Sequence, residues 1–183
     1  LAMDAVKFIL EKLSQYNLLT NIFPGTVLCI ILTYLIGYDM LFLDDWFLQG
    51  IVFYFVGMVN NRFGSLVVES LLKKCGFLKF VPYEDFMRAE KADPKIETLS
   101  TENNVFRSYI SLGVLTIFAL IFKAIENNCA WVQNCCSQCK TAIILLLLLV
   151  LFCCSYRKQT SYVYRRVNNA IKNTENQDDS KVS

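Results

Sequence analysis

Apolar residues run almost unbroken through four stretches of the chain, and polar residues gather between them. The first is about Ile22 to Tyr38, "IFPGTVLCIILTYLIGY". The second runs from Trp46 to about Leu66, and the third from about Val105 to Phe122. The fourth is Thr141 to Tyr156, "TAIILLLLLVLFCCSY". A membrane-crossing helix needs ~20 residues for a hydrocarbon core of ~30 Å. The first and fourth runs are a little short, so flanking residues must complete them, and Trp131 to Lys140 could begin the fourth early. "AIILLLLLVLFCC" is apolar on every face. Such a helix needs burial all round, which a soluble chain of 183 residues cannot supply. The predicted fold is therefore all-α, a four-helix transmembrane protein with short cytoplasmic juxtamembrane helices. A soluble bundle of very hydrophobic helices is the alternative.

The segments outside the spans carry their own patterns. Residues 4–17 put Val6, Ile9, Leu10, Leu13 and Tyr16 on one face, as expected of an interfacial helix or of packing on another chain. "FPG" reads as the turn into the membrane, with Pro24 in a first helical turn where its missing N–H breaks no bond. In the central loop, about 73–104, Pro82 can open a helix through "YEDFMRAEK". Asp93 and Pro94 then read as the cap and first residue of a second short helix. After the fourth span, "SYRKQTSYVYRRVNNAIKN" reads as a basic helix in the tail 157–183, ending in a polar segment. Arg157, Lys158, Arg165 and Arg166 are its candidate lipid- or partner-binding residues. Anionic headgroups would attract such residues by ~1 kcal/mol each.

Charge sets the expected orientation. The loop after span one has Asp39, Asp44 and Asp45 and no Lys or Arg, whereas Arg62 to Arg107 holds eight basic residues and the tail six. By the positive-inside rule both termini and the central loop face the cytoplasm. "LAM" reads as an appendage before a native start at Met3, and no secretory signal follows it.

The end of span two, "VNNRFGSLVVES", mixes amides and charges with small residues. Gly50, Gly57 and Gly64 recur every seven residues and predict a seam for close helix approach. At 100° per residue Asn60 and Asn61 border that seam, while Arg62 and Glu69 share another face. Arg62 should reach the inner boundary, with Glu69 beyond the hydrocarbon. Asn103, Asn104 and Arg107 lie at the same level of span three, and "NNVFR" resembles "NNRF". These polar residues line either a constriction or an interface, or they serve architecture alone. Amides beside a seam contribute ~0.6–2 kcal/mol per bond between helices.

Cys129, Cys135, Cys136 and Cys139 cluster between spans three and four. Only one pair has C-x-x-C spacing, so disulfides are favoured over free thiols and metal. Cys29, Cys153 and Cys154 read as small membrane residues. Composition narrows the chemistry. Charged residues make up 19% of the chain, the net charge is +2, and histidine is absent. Histidine-dependent intramembrane hydrolysis and acyl transfer are thus excluded, and no G-x-S-x-G, P-loop or dinucleotide motif is present. The carboxylates fall in what read as solvated loops, without an apolar pocket to shift them. No enzyme activity, cofactor, metal or direct nucleic-acid binding is expected.

"IFPG", "NRFGSLVVESLLKK", "YEDFMRAEKADPKIETLS", "NVFRS" and "SYRKQTSYVYRRV" resemble segments of small four-span bacterial membrane proteins of phage-defence loci, including those accessory to CRISPR effectors. The cysteine cluster departs from that pattern. The resemblance implies a membrane-acting or regulatory role. The leading expectation is an oligomeric inner-membrane effector of antiviral defence that alters permeability. The alternatives are a non-conducting scaffold that recruits a cytoplasmic defence protein through residues 77–104 and the tail, or an immunity-type protein that binds a toxin in the bilayer.

Overall fold

The computed structural model describes residues 15–129, 132 and 137–182. The described residues are helical and connecting segments, with no strand among them. Four helices are long and apolar enough to cross a membrane: α1 (Gln15–Ile36), α2 (Trp46–Lys74), α4 (Lys95–Asn128) and α5 (Ser137–Val182, whose apolar window falls within Cys139–Ile171). A short helix, α3 (Tyr83–Ala92), precedes α4. The architecture is that of an all-α, multi-pass membrane protein.

Local chemistry sets where these helices start and stop. The Asp45 side chain accepts from the Phe47 and Leu48 N–H groups and opens α2. Gly37 (φ 85°) and Gly76 (φ 72°) end α1 and α2 in the left-handed conformation that glycine adopts without strain. Helix α3 begins directly after Pro82. Asp93 Oδ1 caps α4 by accepting from Lys95 N–H at 3.0 Å. That second helix of the central loop is not short. It continues unbroken for 34 residues through the third span, ~50 Å of helix, and so projects well beyond a bilayer core.

The start of α1 also differs from the expected turn at "FPG". Helix α1 runs straight through Pro24, preceded by a wide π-type turn over Leu18–Ile22. Proline has no N–H to give the carbonyl four residues back, which is Thr20 O. Ser108 Oγ of α4 donates to that carbonyl at 2.7 Å instead. A partner 88 residues away therefore makes an internal proline tolerable. Residues 1–14, and with them most of the expected interfacial helix at 4–17, lie outside the described residues.

The bundle is small and polar inside, apolar outside. Thr20, Asn60, Ser108 and Ser111 are fully buried, whereas Leu145, Leu146, Leu147 and Leu149 are exposed. That distribution suits a lipid surround, where close backbone approach and polar bonds hold helices together. Helices α1, α2 and α4 form the packed unit. Helix α5 sits at its edge, with 6% of its most apolar window buried against 39% for α1. It touches α2 through Phe152 on Phe55, ring centroids 6.2 Å apart, and through a lysine described below.

Candidate functional site

Two glycine contacts position the polar core. A Cβ on Gly57 would collide with the Asn21 backbone of α1, and one on Gly25 with Phe53 O of α2. Helices α1 and α2 therefore cross backbone to backbone. Gly64 faces a different neighbour: its Cβ would lie 3.0 Å from Ser111 Cβ and 3.3 Å from Arg107 O of α4. Gly50 has nothing within 4 Å and takes no part. The expected single seam is thus two separate crossings, and its first glycine is outside both.

At these crossings Asn60 is fully buried. Its Nδ2 donates to Ser108 O at 3.0 Å and to Ser108 Oγ at 3.3 Å. Its backbone carbonyl accepts from Ser111 Oγ at 2.8 Å. Asn61 turns towards α1 and donates to Asn21 Oδ1 at 3.1 Å. Asn61 Oδ1 in turn accepts from Arg107 Nη2 at 3.3 Å.

One step further along α2 lies Glu69, 7% exposed. Three cations surround it. Arg107 Nη1 of α4 is 2.8 Å from Oε2, Lys73 Nζ of α2 is 2.9 Å from Oε1, and Lys158 Nζ of α5 is 3.4 Å from Oε1. Lys158 also donates to Ser65 O at 2.7 Å and Ser65 Oγ at 2.8 Å. A continuous hydrogen-bonded chain thus links α1 (Asn21), α2 (Asn61, Glu69), α4 (Arg107) and α5 (Lys158). The cluster has three positive charges on one negative, and Arg107 Nε is buried without an acceptor among the described residues.

A wide turn over Gly64–Val68 delivers Glu69 to this place. The Glu69 N–H donates to Gly64 O, five residues back. The Ser65 carbonyl, its partner in a regular α-helix, accepts from Lys158. A turn widened by one residue rotates everything after it by ~100° relative to a regular helix. Arg62 and Glu69 consequently do not share a face. Arg62 is exposed, and Glu69 points into the bundle rather than into solvent. The expectation that every carboxylate lies in a solvated segment fails here for this reason.

Of the other sequence candidates, Asn103 is exposed and Asn104 half-buried, and neither side chain makes a hydrogen bond among the described residues. The resemblance of "NNVFR" to "NNRF" therefore reaches only Arg107. Arg157, Arg165 and Arg166 are exposed on the extension of α5, and only Lys158 of that set enters the cluster. Cys129 has a free thiol and Cys139 is exposed. Cys135 and Cys136 lie outside the described residues. No group of metal-binding side chains occurs among the described residues. Comparison with known protein families, characterised proteins and solved structures finds no match to this chain.

Sequence reasoning missed Thr20, Asn21, Ser65, Lys73, Ser108 and Ser111. Ser108 and Ser111 stand three apart inside an apolar run, the spacing of one helix face, and that signal was available. The opposite end of the bundle holds a second charged cluster. Glu126 of α4 accepts from Lys140 at 2.9 Å, Lys123 at 3.1 Å and the Tyr38 hydroxyl at 3.0 Å. Burial, and then the Glu126 carboxylate beside it, push the Tyr38 hydroxyl up to about 12, so it remains a donor throughout the physiological range.

Proposed function

We propose that this protein is a non-enzymatic membrane effector of bacterial antiviral defence that changes membrane permeability on triggering, and that the Glu69 cluster is its latch. One observation carries the reading: a single buried carboxylate joins α2, α4 and α5 through Lys73, Arg107 and Lys158. A buried carboxylate shared by three cations at the end of a membrane bundle is a candidate functional site. Helix α5 also meets the bundle at Phe55–Phe152, Tyr83–Tyr162 and Lys140–Glu126, so loss of the latch loosens it where Lys158 sits. The fully buried Asn60, Ser108 and Ser111 fill the junction of α2 with α4 inside one bundle. In this reading an aqueous path forms between copies of the chain, and the protein acts as an oligomer. The charge asymmetry supports placing the basic end on the cytoplasmic side of the inner membrane.

Potassium efflux from vesicles containing purified protein tests this. The expected result is tight wild-type vesicles and leaking Glu69→Gln vesicles. Lys158→Met leaves Glu69 paired with two cations and serves if Glu69→Gln does not fold. Vesicles that stay tight with both variants, and with wild type under every trigger tried, would remove the reading.

A second reading has its own observation. Phe77, Val81 and Leu99 are exposed on and beside the central loop. They suit a scaffold that recruits a cytoplasmic partner through residues 77–104. Full defence by a chain with that loop replaced would count against it.

A further inference from the structure

Where the apolar run of α5 gives way to basic residues, a groove of about 330 Å³ opens on one face of the helix. Its described wall is Cys154, Arg157, Lys158, Ser161, Tyr162 and Arg165. The residues fall in two columns at helical spacing, Arg157–Ser161–Arg165 and Cys154–Lys158–Tyr162. The first column is basic at both ends with a hydroxyl between. The second begins at the membrane edge with a thiol and ends on a tyrosine whose ring packs on Tyr83 of α3 at 5.7 Å.

The charge around this groove is unbalanced. Lys158 shares Glu69 with Lys73 and Arg107, so that carboxylate has nothing left for the groove. The Arg157 and Arg165 side chains make no hydrogen bond or ion pair among the described residues. Two guanidinium groups with open donor forks, and two hydroxyls beside them, match the oxygen array of a phosphate. The exposed apolar side chains Leu147 and Val150 lie on the groove's face of α5, two turns and one turn before Cys154. That continuity would accommodate acyl chains below a headgroup.

We propose that this groove is a binding site for a phosphate anion, supplied by an anionic phospholipid headgroup. Guanidinium forks hold the phosphate and the Ser161 and Tyr162 hydroxyls donate to it. Because Lys158 belongs to both groove and latch, a bound phosphate competes with Glu69 for its ammonium. Binding is scored without flux, so the site stands or falls independently of the permeability reading.

The test uses the full chain in nanodiscs of phosphatidylcholine mixed with phosphatidylglycerol. Lipids retained after detergent exchange are counted by native mass spectrometry. Wild type should retain phosphatidylglycerol in preference to phosphatidylcholine. The double variant Arg157→Gln/Arg165→Gln should reduce that preference by roughly thirty-fold, the worth of two basic residues at a membrane surface. Both arginines are exposed and unpaired, so folding is not at risk. Arg62→Gln, one exposed arginine on α2 outside the groove, should lower it by no more than about five-fold, the worth of one basic residue at the surface. Displacement of the lipid by inorganic phosphate alone would keep the site and make its ligand soluble. Equal retention of the two lipids by wild type would overturn the proposal. So would a preference unmoved by the double variant, or an equal loss in Arg62→Gln.

Discussion

Each end of the bundle carries one carboxylate bonded to three groups, yet the two clusters are built differently. Glu126 takes Lys123, Lys140 and Tyr38, and its side chain is 18% exposed. Glu69 takes Lys73, Arg107 and Lys158, and its side chain is 9% exposed. Both recruit one local lysine and two distant partners. The difference lies in what surrounds them. Glu126 sits where the chain leaves the bundle. Glu69 sits little more than one turn past the Gly64 contact with α4 and about three turns past the backbone crossing at Gly57, and is extended by the Asn21–Asn61 bridge. The comparison teaches that the same ion-pair arrangement can close off a helix end or lock an interior, depending on whether its helices can move apart.

Removing each carboxylate in turn separates the two cases. Glu69→Ala leaves three partly buried cations without their anion and should cost about 3–5 kcal/mol. Thermal unfolding of the purified protein in a fixed detergent reads this, and a loss under ~1 kcal/mol would place Glu69 with ordinary surface pairs. Gly57→Ala comes next, at about 1–3 kcal/mol, because α1 must retreat from Asn21. Gly50→Ala, with nothing near it, should be neutral or slightly stabilising. Equal effects at the two glycines would deny that the crossing is local to Gly57. Ser108→Ala removes the donor to the Thr20 carbonyl and should cost ~0.6–2 kcal/mol. A larger loss would mean that Pro24 depends on that bond for the whole course of α1. Glu126→Gln should shift the melting temperature least of these destabilising variants. A shift matching that of Glu69→Ala would erase the distinction between the ends.

The four spans were legible because each is an apolar run of nearly sufficient length, and "DP" at 93–94 announced the start of α4. Asn60 and Asn61 were legible too, since their angular distance from Gly57 depends only on three or four residues of regular helix. What escaped depended on distant partners. Pro24 looked like a helix start because the donor that replaces its lost bond, Ser108, is on another span. Glu69 looked solvated for two reasons. Constant 100° steps miss the wide turn at Gly64–Val68, and two of its three cations arrive from α4 and α5. Gly50 matched the seven-residue repeat but meets no helix, because a spacing says which face a residue takes and not whether a neighbour is there. The expected short second helix of the central loop failed similarly. Nothing after Asp93 and Pro94 stops it before the third span, and the polar residues between them only mark its exposed length.

The central claim is that one carboxylate on α2 holds α4 and α5 in place. A double-mutant cycle on thermal stability tests it most directly, with Glu69→Gln combined in turn with Arg107→Met and with Lys158→Met. The account predicts that each double variant is less destabilised than the sum of its singles, with a coupling above ~0.5 kcal/mol in both cycles. Additive losses in both would contradict it.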